Sequence, residues 1–271
     1  MAAISKRARK RHVQQSLFRR GGKRRGAGRK PIGARAGARH AARRDFTSTQ
    51  PVHVVLRVVA AVGSLRRRSM YKAIREASLT ALVRERFRIT HISVQRTHLH
   101  MLVEANDKAA LGRGMQGFQI SVARNINTVL GSERAGGSSR RVTARPCGVA
   151  PSRWARRRRP RRRGKVFADR YHVEVIETPT QARHSLRYLL GNWRHHGEDR
   201  AAHTRGWRID PFSTAILFPG WLELEDRHFL WPMPPDYEPL FVVRPRTWLL
   251  SEGWKRTGVI SVHDVPGPAR R

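Results

Sequence analysis

The sequence predicts an α+β fold: an antiparallel sheet with helices packed on one face, a disordered basic arm before it and an irregular tail after it. Three observations carry that expectation. Apolar alternation and helical stripes succeed one another between residues 50 and 200 in the order strand, helix, strand, strand, helix, strand, helix. The first acidic residue is Asp45, and the tract before it is Arg, Lys, Gly and Ala with almost no apolar period. Beyond residue 200 Trp and Pro are frequent and no period persists. The chain thus divides into an arm (1–49), a folded domain (50–200) and a C-terminal extension (201–271).

Each element has its own signal. Pro51 to Val59 is β-branched and bounded by Pro51 and Gly63, which predicts a first strand. Ser64 is expected to open a helix buried through Met70, Ile74, Ala77 and Ala81. Arg88 to Gln95 and His98 to Glu104 read as two strands, joined by a link short enough for a hairpin. Asn106 or Asp107 should cap a second helix striped by Leu111, Met115, Phe118, Val122, Ile126 and Val129, ending at Gly131. Residues 131–164 read as a basic loop, and His172 to Ile176 as a fourth strand. Thr178-Pro179-Thr180-Gln181 has the spacing of a capping box with Pro at the first helical position. The helix it opens should run to about His195 and bury Ala182, Leu186, Leu189 and Trp193. The first six elements make a split β-α-β, or ferredoxin-like, arrangement.

Charge narrows the partners. Against 19 Asp and Glu stand 56 Lys and Arg, a formal net charge of +37 over 271 residues. A monomer so charged repels itself unless a polyanion neutralises it, and nucleic acid is the leading candidate. A chain so polar cannot fold its first residues on its own apolar content. Within the arm, Gly28-Arg29-Lys30-Pro31 has the composition of a minor-groove hook, but a merely solvated arm is the more ordinary reading of four residues inside a basic tract. In the basic loop, Arg157, Arg158, Arg161 and Arg162 are expected to meet phosphate, with Trp154 either stacking on a base or merely exposed. The one cysteine, Cys147, excludes an internal disulfide framework and a multi-cysteine zinc site. There is no long apolar run and no signal-peptide core, so a cytoplasmic protein without membrane contact is expected. Nor is there a Walker loop or a Rossmann fingerprint.

The chemistry-bearing residues lie on two elements. Period two puts His98 and His100 on one strand face while Leu99, Met101 and Val103 take the other. If the helices cover the apolar face, the two imidazoles project from the open one, an arrangement suited to a divalent metal. A chance His-X-His pair on a solvated strand is the other reading in a chain with 13 histidines. On the last helix, His184, Tyr188, Asn192 and His195 form a polar stripe distinct from the buried one. It offers a phenol nucleophile and an oxygen ligand, or else an exposed Tyr and a helix-end Asn.

Val94-Gln95-Arg96-Thr97-His98-Leu99-His100-Met101-Leu102-Val103-Glu104 resembles the HUH motif strand of single-strand DNA transposases. Arg113-Gly114-Met115-Gln116-Gly117, Phe167-Ala168-Asp169-Arg170-Tyr171-His172 and Arg187-Tyr188-Leu189-Leu190-Gly191-Asn192 resemble the same group, in the same order. The similarity is to the REP-associated branch of the single-tyrosine insertion-sequence transposases and covers about residues 50–200. It implies an HUH endonuclease fold and a metal-dependent transposase acting on single-stranded DNA, with hairpin ends as substrate. It also implies Tyr188 as nucleophile, giving a 5′-phosphotyrosine, and His98, His100 and Asn192 as ligands of a divalent metal, Mg2+ or Mn2+. Two departures stand out: Trp193 follows Asn192 where relatives often carry Pro, and the loop at 131–164 is longer and more basic. The rival expectations are a non-catalytic nucleic-acid-binding protein and a domesticated transposase that binds hairpin repeats. Monomer and homodimer both stay open.

Overall fold

A computed structural model describes residues 43–136, 162–200, 204, 206–225 and 237–267. Its four strands are β1 (Val52–Arg57), β2 (Phe87–Val94), β3 (His98–Ala105) and β4 (His172–Val175). They form one sheet in the order β2-β3-β1-β4, every neighbouring pair antiparallel. With helices α1 (Arg68–Leu82) and α2 (Lys108–Gly136) between them, this is the ferredoxin-like arrangement that the element order predicts.

Register decides what each face holds. Val52, Val54 and Leu56 of β1 stand opposite Val103, Met101 and Leu99 of β3, and residues directly opposite share a face. That face meets Met70, Ile74 and Ala77 of α1 and Leu111, Met115, Phe118, Val122 and Ile126 of α2 in one buried cluster. Burying a side chain of this size is worth about 1.5–3 kcal/mol, so the stripe alone accounts for the docking of both helices. The other face carries His53, Val55 and Arg57 opposite Leu102, His100 and His98.

That second face is not open. Helix α3 (Pro179–His195) and the C-terminal segment cover it, burying Leu102 with Ala182, Leu186, Leu189 and Leu190 and with Phe218, Trp221, Leu250, Trp254 and Ile260. The segment reaches the sheet through short 3-10 turns at Thr214–Leu217, Leu222–Glu225 and Gly253–Thr257 and a four-residue helix α4 (Trp248–Ser251). Turns of that length are too short to show a period, and the sequence accordingly has none there. Glu104, at the end of β3, ties the segment down by accepting from the Thr247 N–H and hydroxyl, both at 2.8 Å, and from the Arg246 N–H.

The α3 capping box forms as its spacing predicts. Thr178 Oγ1 accepts from the Gln181 N–H at 3.2 Å while Gln181 Oε1 accepts from the Thr178 N–H at 3.1 Å. Ala182, Leu186, Leu189 and Trp193 are all buried. Gly197, at φ 68°, lies just past the helix end. For α2 the cap is Asp107, whose carboxylate accepts from the Ala110 N–H at 2.6 Å.

Two boundaries differ from expectation. Ser64 is not the cap of α1: its hydroxyl accepts from the Arg66 N–H in a local turn, and the helix starts at Arg68 after an extended Arg67. Helix α2 does not end at Gly131 but continues to Gly136. Glycine stops a helix by turning left-handed, and Gly131 is buried without a positive φ. Among the described residues no helix is long and apolar enough to cross a membrane.

Candidate active site

The site lies between β3, β1 and α3. Alternation along β3 points His98 and His100 the same way, with ring centroids 4.7 Å apart. His100 is buried and His98 partly so. Over them passes α3, its buried stripe fixed by the apolar cluster and Tyr188 turned to the histidines. The Tyr188 ring stands edge to face with His100 at 5.2 Å, and past the end of the helix His196 stands 5.5 Å from His98. Tyr188, Asn192 and His196 follow at four-residue steps, so Asn192 falls on the stretch of helix between these two contacts.

Asn192 is fully buried, yet neither its Oδ1 nor its Nδ2 has a hydrogen-bond partner. His100 Nε2 is likewise buried and unpartnered. Leaving such a group unpaired costs about 1–3 kcal/mol, so each of these orphaned atoms calls for a partner. Burial, together with the neighbouring histidines, pushes His100 from the usual imidazole range down to about 2. Burial first, then His196 and Arg57, lowers His98 to about 4. Both rings are therefore neutral at neutral pH, the form in which imidazole binds a metal. Among the described residues no three His, Cys, Asp or Glu side chains are grouped to hold an ion. Two imidazoles are present, and the one side-chain amide on this stretch of α3 is that of Asn192.

A cleft of about 450 Å3 opens beside Tyr188, lined by His53, His172, Glu174, Gln181 and His184 among others. Burial raises the Tyr188 phenol above its ordinary range. The phenol is therefore protonated at neutral pH.

Sequence reasoning passed over two residues here. His53 Nε2 lies 3.0 Å from His100 Nδ1, and the rings stack with centroids 5.2 Å apart. Its signal was a histidine out of phase with Val52, Val54 and Leu56 on the strand that a ferredoxin-like sheet sets beside β3. His196 follows the helix directly and was left off the polar stripe.

Of the other residues expected at a site, Arg29, Lys30, Arg157, Arg158 and Arg161 lie outside the described residues, as does Trp154. Arg162 is described, and it is engaged within the protein. Its N–H donates to the Asn127 carbonyl at 2.8 Å and its guanidinium to Asn127 Oδ1 at 3.2 Å. Tyr171 belongs to the opposite side of the sheet, in the cluster with α1 and α2, its ring beneath the Arg43 guanidinium at 3.7 Å.

The layers and this face define a ferredoxin-like α+β protein with a tyrosine laid against a histidine pair. No protein-family model matches the chain, and no curated protein matches it. Among solved structures, a REP-associated tyrosine transposase bound to a REP hairpin is similar at a TM-score of 0.43 and 14% identity. The match spans 65% of this chain and 82% of that one. A likeness of that strength bears on neither chemistry nor partner.

Proposed function

We propose that this protein is a metal-dependent transposase that cleaves and rejoins single-stranded DNA through a 5′-phosphotyrosine on Tyr188. One observation carries the reading: the Tyr188 phenol lies against His100, with His98 beside it, on a face where His100 Nε2 is buried and unpaired. A phenol placed on a neutral histidine pair fits phosphoryl transfer better than it fits plain packing, because packing leaves the orphaned atoms unexplained.

His98 and His100, with the Asn192 amide oxygen, would hold a divalent ion, magnesium or manganese, supplying a Lewis acid for the scissile phosphate and its leaving oxygen. Burial keeps both imidazoles unprotonated and so available as donors. Tyr188 attacks phosphorus in line; the bond from phosphorus to the 3′ oxygen breaks, and the phenol gives up its proton. The leaving 3′ oxygen gains a proton and becomes a 3′-OH, while the 5′ phosphate stays on Tyr188. Attack by another 3′-OH reverses the step and restores the phenol, so the phosphodiester energy is conserved and no nucleotide is consumed. The net charge of +37 supplies attraction for the strand. Hairpin ends are the substrate that the motif resemblance implies.

The test is a labelled single-stranded hairpin library incubated with full-length protein and Mg2+ or Mn2+, followed by denaturing electrophoresis. A covalent adduct that disappears with Tyr188→Phe and with chelator supports the enzyme. Tight, salt-sensitive binding with no adduct on any hairpin, with or without metal, makes the protein a non-catalytic nucleic-acid binder instead.

A further inference from the structure

We infer that His53 is a positioning residue, fixing the tautomer and orientation of His100 so that His100 Nε2 is presented to a divalent cation beside Tyr188. The inference rests on the metal reading above and names a residue that reading does not use. His53 Nε2 and His100 Nδ1 are 3.0 Å apart, the rings are inclined by only 19°, and both side chains are buried. Backbone pairing holds them in place: on β1 and β3 His53 stands opposite Leu102, and Val55 stands opposite His100, which makes the two histidines diagonal neighbours on one face.

One hydrogen bond between two neutral rings carries one proton, and its position decides what His100 can do. With the proton on His53 Nε2, the neutral His100 carries its own on Nε2, a buried N–H with nothing to donate to. With the proton on His100 Nδ1, His53 is the acceptor and His100 Nε2 bears a free lone pair. The second arrangement turns an orphaned donor into a ligand. A partner on the outer nitrogen of a metal-binding histidine is the ordinary device for setting its tautomer and ring plane. Here that partner is a neutral imidazole, not a carboxylate. The Tyr188 ring centroid is 6.0 Å from that of His53, so His53 stands against both His100 and Tyr188.

The experiment measures Mn2+ binding to full-length protein by electron paramagnetic resonance, independently of DNA cleavage. His53→Phe removes the acceptor and keeps a flat ring; His53→Gln places an amide oxygen near the position of Nε2. Loss of an outer partner typically weakens metal affinity tenfold to a hundredfold, which is the loss expected of His53→Phe, whereas His53→Gln should stay within about threefold of wild type. Metal-free thermal unfolding of both variants reads folding separately. In histidine-labelled wild type free of metal, 15N NMR should report His100 as the Nδ1–H tautomer, which keeps the inference testable if His53→Phe fails to fold. Undiminished Mn2+ binding by folded His53→Phe, equal losses in both folded variants, or an Nε2–H tautomer would overturn the role of His53 alone. A wild-type protein that binds no Mn2+ would overturn the metal reading with it.

Discussion

Tyr188 and His100 stand edge to face, their ring centroids 5.2 Å apart and their planes at 86°. The contact joins a helix to a strand distant in sequence, so it exists only because α3 is docked by Ala182, Leu186 and Leu189 on the face opposite α1 and α2. Turning α3 by one residue would swing the phenol about 100° away from the histidine pair. The apolar stripe of the helix is therefore what aims Tyr188. The same stripe leaves Asn192 inside with no partner of its own.

Tyr171 is the competing phenol, and its surroundings predict that it is not the nucleophile. Its ring packs in the α1–α2 cluster under Arg43, on the side of the sheet away from His98 and His100. Tyr171→Phe should leave the protein–DNA adduct intact. The buried Tyr171 hydroxyl has no hydrogen-bond partner, so removing it should leave stability unchanged or raise it, by up to about 3 kcal/mol. An adduct that survives Tyr188→Phe and is lost in Tyr171→Phe would move the active site to the other face.

Much of this arrangement was legible because its signals are local. The capping box at Thr178, the stripe of α2 and the alternation of β3 each specify an element within a few residues. The roof over the histidines was not legible. Leu99, Met101 and Val103 alternating with His98 and His100 looks like a half-solvated strand, and only Leu102 hinted at a second covered face. What covers it includes 3-10 turns of four or five residues, whose apolar side chains follow no repeat. His53 was hidden differently: in a strand apolar but for Arg57, its place beside His100 appears only once β1 is paired with β3.

Glu104 is the next test of that roof. It is buried, and besides the Arg246 and Thr247 N–H groups it accepts from the Arg88 guanidinium at 3.2 Å. Glu104→Ala leaves those donors without an acceptor and should cost about 3 kcal/mol by urea unfolding. Glu104→Gln keeps one carbonyl oxygen and should cost less. Equal losses for the two variants would mean that side-chain volume, not acceptance, matters at this position.

Two glycines early in α2 should respond in opposite directions. Nothing lies within 4 Å of a Cβ built on Gly112, so Gly112→Ala should stabilise by about 0.5–1 kcal/mol through helix propensity. A Cβ on Gly114 would overlap the Phe87 ring, itself buried at the start of β2. Overpacking of this kind costs about 1–3 kcal/mol, so Gly114→Ala should lower the unfolding midpoint. A Gly114→Ala protein as stable as wild type would show that α2 and β2 are not in close contact there.

His91 sets a pH dependence that is separate from the Tyr188 face. It is buried on β2, with Nδ1 3.3 Å from Thr214 Oγ1 and its ring against Phe218. Burial pushes the imidazole from 6.5 down to about 4. In the unfolded chain the same ring takes up a proton near its ordinary pKa, so between those values the unfolded state binds more protons than the native one. Stability is therefore lost as pH falls from about 6.5 and levels off below about 4, with nothing contributed above pH 7. The full loss attached to this one residue is on the order of 3 kcal/mol. His91→Gln abolishes the titration while keeping a polar side chain beside Thr214. Urea unfolding at about pH 7.5 and about pH 4.5 should show the stability difference between wild type and variant shifting in the variant's favour by about 2–3 kcal/mol at the lower pH. His53, His98 and His100 are also held low, yet they are common to both proteins and cancel in the comparison. A difference that stays constant between the two pH values would mean that His91 takes up its proton in the native protein as readily as in the unfolded chain.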